Sequence, residues 1–215
     1  MAALARAVTG AQQRDAGASG DATADAEVRD LVRRLEARRT AAGRCTLRVG
    51  AVTVGVLGTL PVTLGREGDV RVRGTSVSRA HCRVLRDARG CVLEDLESRN
   101  GTLVRGVPLG APLVLAEATE VGLGDDVLVR VEPGTEGLAV RVLSGLDAGS
   151  VTLVGAGPLP LPGVAGSVTF EGGFVVLRAA AGATLTLAGQ RCVAPVDLLV
   201  GDELELDGVR LEVVA

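Results

Sequence analysis

Three short elements between residues 65 and 102 carry side chains that suit a phosphate group. Gly65-Arg66 ends a strand-like run, Ser78-Arg79-Ala80-His81 begins twelve residues after Arg66, and Ser98-Arg99-Asn100-Gly101-Thr102 follows about twenty residues further on. A phosphate dianion is bound well by arginine, whose planar fork donates charge-assisted hydrogen bonds, and by a short hydroxyl that donates at close range. Arg66, Arg79 and Ser78 supply these groups.

Asn100 adds a different kind of group to this set. Its amide has both donors and an acceptor, so it suits the backbone of an extended peptide beside a phosphate. Taken singly, each element is a weak signal, because Gly-Arg is common and Asn-Gly is an ordinary turn sequence. All three elements lie at predicted loop ends, where a rigid scaffold presents its binding groups.

The scaffold is predicted to be all-β. Short Val- and Leu-rich runs that often alternate apolar with polar residues are separated by Gly, Asp or Pro, which is typical of half-buried strands and their turns. The chain has 215 residues, 47% of them hydrophobic but only 1% aromatic, with 30 Gly and 8 Pro. The core must therefore consist mainly of Val, Leu and Ala, and valine favours strands.

The chain divides into four predicted segments. Residues 1–23 lack any period and are predicted to be a disordered tail. An amphipathic helix is predicted over 24–42, because Val28, Leu31, Val32 and Leu35 follow helical spacing. This helix either docks on the β-structure or pairs with a partner or another copy, and both alternatives stay open. Two β-domains are predicted over 45–132 and 138–215, joined by a short linker.

An internal duplication relates the two β-domains. The segment 103–109 aligns with 186–192, and 120–131 aligns with 203–214, at a steady offset of about 83 residues. Gly106 then falls on Gly189. The sequence therefore predicts two similar β-domains in tandem.

The combined motifs of the first β-domain resemble those of the forkhead-associated (FHA) domain, a phosphothreonine-recognition module. They are LGR at 64–66, SVSRAHC at 76–82, LEDLESRNGTLVRG at 93–106 and GLGDD at 122–126. The match covers about 85 residues. The resemblance implies an FHA-like β-sandwich of the SMAD/FHA type, so the predicted chain is two such sandwiches in tandem after a short helix.

The resemblance also implies a role for each matched residue. Arg66 would bind the phosphate and the peptide backbone, Ser78 would donate its hydroxyl to a phosphate oxygen, and Arg79 would add charge. Asn100 would bind the main chain on either side of the phosphothreonine. Arg99 stands where this family often has threonine and would widen the contact surface. The structural residues are Gly65, His81, Gly101 and Thr102, with His81 bracing the loop between Gly65 and Ser78.

The second β-domain resembles the same fold without its binding residues. Alignment of the sequence alone places Ala156 at the phosphate-binding arginine, Ala165 or a neighbour at the serine, and Ala183 near the asparagine. Its residues 138–215 carry four arginines and eight acidic residues, a net charge of −4 that would repel a phosphopeptide. We therefore expect a degenerate FHA-like domain here.

Several functional classes are disfavoured. The net charge of −3 and the scarcity of aromatic residues argue against a nucleic-acid binder. No stretch approaches 18 consecutive apolar residues and no secretory signal is visible, so we expect no membrane span and a cytoplasmic location. Four cysteines spaced 37, 9 and 101 residues apart, with one histidine, predict free thiols and no metal or cofactor.

Catalysis is also disfavoured by the inventory of reactive groups. His81 and Cys82 are adjacent in sequence, and consecutive strand residues point to opposite faces, so they cannot form a nucleophile–base pair. The predicted function is therefore that of a phosphothreonine-peptide-binding adaptor in bacterial Ser/Thr kinase signalling, whose partner is a kinase or its substrate. The alternative is a phosphate-independent structural module of a larger complex, such as a secretion or envelope scaffold.

Overall fold

A computed structural model describes residues 44–171 and 174–214, together with Arg29 and Val32, which are helical. The predicted tail 1–23 and the rest of the predicted helix 24–42 lie outside the described residues. The prediction of an all-β chain is confirmed, since the described residues of 44–171 and 174–214 form strands joined by turns and loops. Among the described residues, no helix has the length and apolarity of a membrane span.

The described residues form 21 strands. The first eleven are β1 (Arg44–Val49), β2 (Val52–Leu57), β3 (Val62–Gly65), β4 (Val70–Arg71), β5 (Cys82–Asp87), β6 (Gly90–Asp95), β7 (Thr102–Val104), β8 (Val107–Pro108), β9 (Leu113–Leu115), β10 (Thr119–Leu123) and β11 (Val127–Pro133). The remaining ten are β12 (Gly137–Val142), β13 (Val151–Gly155), β14 (Leu159–Pro160), β15 (Gly166–Glu171), β16 (Phe174–Ala179), β17 (Leu185–Leu187), β18 (Gln190–Cys192), β19 (Val196–Asp197), β20 (Glu203–Leu206) and β21 (Val209–Val214).

These strands form three sheets. One continuous sheet of twelve strands has the order β18-β17-β20-β21-β1-β2-β13-β12-β11-β10-β7-β8. A five-stranded sheet has the order β4-β3-β5-β6-β9, and a four-stranded sheet has the order β14-β15-β16-β19. At the centre of the large sheet β2 and β13 pair in parallel, whereas its other pairings are antiparallel.

Two separate hydrophobic cores lie on opposite faces of the large sheet. In β13, Val154 belongs to the first core while Val151 and Leu153 belong to the second. Directly paired residues share a face, so Leu138, which pairs with Val154, lies on the face of the first core. The five-stranded sheet packs over that face and the four-stranded sheet over the other, as two β-sandwiches that share one sheet.

The two cores do not coincide with the predicted boundaries 45–132 and 138–215. Strand β1 pairs with β21 and places Cys45, Leu47 and Val49 in the second core. Strand β12 pairs with β11 and places its apolar residues in the first core. A connection of only three residues, 134–136, joins β11 to β12, and such a short connection makes the next strand pair with the one before it. Each core is thus completed by a hairpin from the other predicted domain.

The internal duplication is visible in the turns as well as in the strand order. The segment β8-β7-β10-β11 at one end of the large sheet corresponds to β18-β17-β20-β21 at the other. Arg105-Gly106 and Ala188-Gly189 both have two consecutive positive φ angles, 52° and 79° in the first and 50° and 77° in the second. Both pairs connect two-strand hairpins, as this turn geometry does in β-structure.

Candidate functional site

Three loops at one end of the first sandwich hold the residues that the sequence singled out. Arg66 follows β3 directly, Ser78 and Arg79 lie in the loop of residues 72–81 between β4 and β5 (the site loop), and Arg99 and Asn100 lie between β6 and β7. The Arg66 amide donates to the Ser78 carbonyl at 3.0 Å. The Arg99 amide donates to the Ser78 hydroxyl oxygen, also at 3.0 Å. The structure therefore brings the three loops together.

The side chains of Arg66 and Ser78 are oriented by the backbone around them. Arg66 Nε donates to the Val77 carbonyl at 2.7 Å, which fixes the guanidinium plane and leaves the terminal nitrogens for another acceptor. Because the Ser78 oxygen already accepts the Arg99 amide, its O–H is free to donate outward. This arrangement suits an anion with several acceptor oxygens.

Asn100 is held beside the site loop through one of its two amide donors. Its Nδ2 donates to the Ser76 carbonyl at 2.8 Å, and the residue is exposed. The side-chain carbonyl and the second N–H bond remain for a ligand. Gly101, directly after it, has a φ of 77°, a conformation that favours glycine and that turns the chain back into β7.

His81 joins two of the loops from inside the fold. Its side chain is fully buried. Nδ1 accepts the Ser78 amide at 3.0 Å, so Nδ1 carries no proton, and Nε2 therefore donates to the Gly101 carbonyl at 3.1 Å. Both ring nitrogens are used within the protein, which leaves no free position for a ligand, a metal or a nucleophile.

The neutral state of His81 leads to a testable pH dependence. Burial lowers the pKa of His81, opposed by its bond to Gly101 and by the Asp95 carboxylate. The unfolded chain therefore binds a proton at higher pH than the folded protein, and the free energy of unfolding should fall as the pH drops below about 6.5. Urea unfolding of the wild type should show less stability at pH 5.5 than at pH 7.5.

The matching control is His81→Asn, because the sequence contains one histidine. Carboxylates titrate mostly below this window, so the variant should show a much smaller change between the two pH values. An equal change in both proteins would show that His81 is not the group responsible.

Two aspartates that the sequence analysis did not select also hold the site. Asp95 accepts the Ser98 amide at 2.9 Å, the Ser98 hydroxyl at 2.6 Å and the buried Thr102 hydroxyl at 2.5 Å. Burial raises the pKa of Asp95, but these hydrogen bonds outweigh it and hold the pKa below its ordinary value. The spacing D-x-x-S-x-x-x-T in the sequence could have identified Asp95, because Asp and Ser three residues apart commonly close a turn.

Asp126, the last residue of the GLGDD motif, binds the site loop. It accepts the backbone amide and the hydroxyl of Thr75, both at 2.9 Å, and it also bonds the Ser76 hydroxyl. Next to it, Gly124 leaves room for Ser76, whose hydroxyl oxygen would lie 2.5 Å from a Cβ at that position. The β10–β11 turn is therefore part of the support of the site.

The arginines near the site differ from the others in their pairing. Of the nine between Arg66 and Arg105, four form ion pairs with carboxylates: Arg73, Arg83, Arg89 and Arg105. Arg86 donates to backbone carbonyls of residues 134 and 135. The remaining four, Arg66, Arg71, Arg79 and Arg99, form no ion pair with any described residue.

Hydrogen bonds connect the segments that carry these four arginines. Arg71 Nε donates to the Arg66 carbonyl at 3.2 Å, and Arg99 contacts Ser78 through its amide. The Glu67 amide donates to the Arg79 carbonyl at 3.0 Å. The segment 66–105, which includes these loops, carries nine arginines and six acidic residues, and its net charge of +3 favours the binding of an anion.

The second sandwich lacks the counterpart of the site loop. Leu159 pairs with Val168 as Val62 pairs with Val84, which aligns Leu161 with Leu64 and Gly166 with Cys82. Four residues, 162–165, then replace the seventeen residues 65–81. This alignment corrects the sequence-based one: Gly163, not Ala156, stands at the position of Arg66. The serine position has no counterpart at all.

The thiols and acidic residues form no second reactive centre within the described residues. All four cysteines are free, and burial raises the pKa of Cys45 and of Cys82 to about 12, so both stay protonated. No group of three or more His, Cys, Asp or Glu side chains there could hold a metal ion.

Part of this chain is similar to known proteins that contain FHA domains. The FHA domain family model matches residues 62–124. A mouse protein, angiogenic factor with G patch and FHA domains 1, is 34% identical over 42% of this chain and 14% of its own length, so this chain matches a small part of that relative.

Two solved structures are similar over most of their own length. The FHA domain of CT664 from Chlamydia trachomatis is 24% identical over 38% of this chain and 89% of that one, with a TM-score of 0.30. The Rv1747 FHA-1 structure from Mycobacterium tuberculosis is 25% identical over 47% of this chain and 98% of that one, with a TM-score of 0.31. The family match by itself identifies an FHA domain at residues 62–124 of this chain.

Proposed function

We propose that this chain is a phosphothreonine-peptide-binding adaptor that binds its ligand at the loops around Arg66, Ser78 and Asn100. FHA domains bind phosphothreonine peptides, and the family match covers these loops. The observation that carries the proposal is the orientation of Arg66 and Ser78: Arg66 is fixed through Nε with its terminal nitrogens left available, and the Ser78 hydroxyl, whose oxygen accepts the Arg99 amide, can donate to a ligand. Arg66 would grip the phosphate, Ser78 would donate to a phosphate oxygen, and Arg79 and Arg99 would add charge.

Asn100 would hydrogen-bond to the peptide backbone rather than to the phosphate. Its free amide groups suit the backbone on either side of the phosphothreonine, which explains why an extended segment of the ligand would be needed. The partner would then be a phosphorylated protein, either a substrate of a Ser/Thr kinase or the phosphorylated kinase itself. A reducing, cytoplasmic compartment fits the four free thiols.

The proposal is tested by titrating a degenerate phosphothreonine peptide library against the full chain. We expect a Kd of about 1 μM, or about −8 kcal/mol, and little binding of the unphosphorylated library. Arg66→Ala should weaken binding by about 30-fold, because a charge-assisted contact contributes about 2 kcal/mol.

The matched control is Arg191→Ala. Arg191 is an exposed arginine of the second sandwich that has no ion pair with any described residue. Its removal lowers the net charge by the same amount and should leave the affinity nearly unchanged. Equal binding by wild type and Arg66→Ala, or no binding by either, would reject the proposal.

One observation favours a second role for the rest of the chain. Because the second sandwich lacks the site loop, its contribution must be to packing or assembly. This agrees with the alternative of a structural module, but only for that half. Self-association through the predicted helix remains a separate proposal, which sedimentation of the full chain with and without residues 1–42 would test.

A further inference from the structure

The turn between β12 and β13, residues 143–150, reaches the site loop from outside the matched FHA segment. Within this turn, Asp147 accepts three hydrogen bonds from Arg73, near the start of the site loop. The Arg73 amide donates to Oδ2 at 2.7 Å, and its Nε and Nη2 donate to Oδ1 at 2.8 Å and 2.6 Å. One carboxylate therefore holds both the backbone and the side chain of Arg73.

The environment of Asp147 makes this contact stronger than an ordinary surface pair. Its side chain is only 16% exposed, whereas most of the other ion-paired carboxylates are more open to solvent. Burial raises the pKa of Asp147, but its bonds to Arg73 outweigh this and hold the pKa below its ordinary value. The carboxylate is therefore ionised at neutral pH; because the Arg73 side chain is 61% exposed, solvent screens the contact from the arginine side only.

The turn that carries Asp147 is itself well fixed. The Ser150 amide and hydroxyl both donate to the Asp147 carbonyl, at 3.1 Å and 2.8 Å, and the Gly149 amide donates to the Val142 carbonyl at 2.9 Å. At Gly145, where φ is 91°, a Cβ would lie 3.1 Å from Val127, so the turn packs closely on β11. Asp147 therefore presents its carboxylate from a rigid base.

Three anchors together define the path of the site loop. Asp147 holds residue 73, Asp126 holds residues 75 and 76, and His81 holds Ser78. The second and third anchors lie in or next to the matched segment 62–124, but Asp147 lies 23 residues beyond its end. Loss of the first anchor would loosen the loop between Val72, which is buried and whose amide donates to the Gly65 carbonyl at 3.0 Å, and residue 75.

We propose that Asp147 is a positioning residue for the phosphopeptide site, and that through it the hairpin β12–β13 sets the affinity of the site loop for its ligand. This rests on the proposed function of that loop. Asp147 does not touch the ligand. It reduces the entropy that the loop would lose on binding, because it restricts the conformations of the free loop.

A purely electrostatic role predicts the opposite effect. Removal of a carboxylate near an anion site would release Arg73 and raise the local positive charge, so affinity would increase, most of all at low salt. A positioning role predicts a decrease in affinity that salt does not reverse. The sign of the change and its salt dependence therefore separate the two roles.

The test measures the Kd of one phosphothreonine peptide, the tightest from the library, for the full chain at about 50 mM and about 500 mM salt. We expect Asp147→Asn to weaken binding about tenfold at both salt concentrations. Arg73→Ala removes the two side-chain bonds but keeps the bond from the Arg73 amide to Asp147, so it should weaken binding less than Asp147→Asn. The double variant should be little worse than Asp147→Asn alone, because the two changes act on the same contact.

The control variant is Glu212→Gln, which removes the Arg48–Glu212 ion pair at 2.7 Å between β1 and β21. It should leave the peptide Kd unchanged. Hydrogen exchange of the free proteins should show faster exchange at the Thr75 and Ser76 amides in Asp147→Asn, with no change in β21. A change spread over the whole sandwich would indicate general destabilisation and overturn the proposal.

Two outcomes would separate the failure of this inference from that of the proposed function. If wild type binds the peptide and Asp147→Asn binds equally well or more tightly, Asp147 does not position the loop. If wild type binds no phosphothreonine peptide, the proposed function itself fails, and the inference fails with it.

Discussion

A fragment that ends at residue 132 is expected not to fold into a cooperative unit, although it contains the whole matched FHA segment. The fragment 45–132 follows the division of the chain that the sequence predicts. It lacks β12 and β13, which supply Leu138, Val140, Val142 and Val154 to the first core. It also leaves β11 without its partner at the sheet edge, where Val131 pairs with Val140.

The size of the effect follows from these four side chains. A fully buried aliphatic side chain contributes about 1.5–3 kcal/mol, so four of them contribute about 6–12 kcal/mol. A whole domain is stable by only about 5–15 kcal/mol. Their loss is therefore comparable with the entire stability of the sandwich, and we expect a fragment with strand content but no cooperative unfolding transition.

The matched fragment is 57–155, which keeps every residue of the first core. Its members extend from Leu57 to Val154. We expect it to unfold cooperatively in urea and to bind a phosphothreonine peptide with an affinity near that of the full chain. Its new edge strand β13 exposes Val151 and Leu153, which normally lie in the second core, so dilute samples are needed to limit association.

The expectation that fragment 45–132 does not fold could fail if another hairpin replaces β12–β13. The hairpin β1–β2 has the same alternation of apolar residues as β12–β13, since the chain is internally duplicated. Cooperative unfolding of 45–132, with peptide binding intact, would show that β1–β2 can pair with β11 in place of β12–β13. Circular dichroism during urea titration, together with fluorescence anisotropy of a labelled peptide, distinguishes the two results.

The similarity of the two hairpins also explains why the sequence did not predict that each core is completed by a hairpin from the other predicted domain. Alternating apolar residues identify a strand but do not say which of two equivalent strands will pair with β11. The deciding feature is the three-residue connection 134–136, where the Gly134 amide donates to the Gly137 carbonyl at 2.7 Å. The sequence analysis interpreted that segment as a linker between domains, whereas in the structure it is a hairpin turn.

The candidate site could be proposed from the sequence because its residues lie in short motifs with fixed spacing, and the structure brings the three loops that carry them together. The supports were harder to find. Asp126 lies in a sequence that is typical of many turns, so nothing in the sequence marks it as a contact of the site loop. Asp147 is separated from Arg73 by 74 residues, and only the fold brings these two residues together. In the second sandwich, alignment by sequence placed Ala156 at the arginine position because the missing loop shifts the register, which only the strand pairing reveals.

The second large effect is expected at Gly65, the last residue of β3. A Cβ at this position would lie 2.2 Å from the Arg79 carbonyl oxygen and 2.9 Å from that of Ser78. Both are backbone atoms, so no side-chain rotation can relieve the contact. In Gly65→Ala the site loop must therefore move away from β3.

That movement would disturb the binding groups together. It would break the bonds from the Arg66 and Glu67 amides to the Ser78 and Arg79 carbonyls, each 3.0 Å long. Arg66 and Ser78 would then no longer face one ligand, and we expect phosphothreonine-peptide affinity to fall by about 100-fold or more. The free energy of unfolding should fall by about 1–3 kcal/mol, as overpacking usually costs.

The control for this variant is Gly110→Ala. Gly110 has no heavy atom within 4 Å of a Cβ placed on it and no positive φ, so alanine should fit without strain. Isothermal titration with the same peptide should then give the wild-type affinity for Gly110→Ala and little or no heat for Gly65→Ala. Since a 2.2 Å approach to backbone forces the loop to move, equal affinities would mean that the contact between β3 and the site loop does not position the proposed phosphate-binding groups.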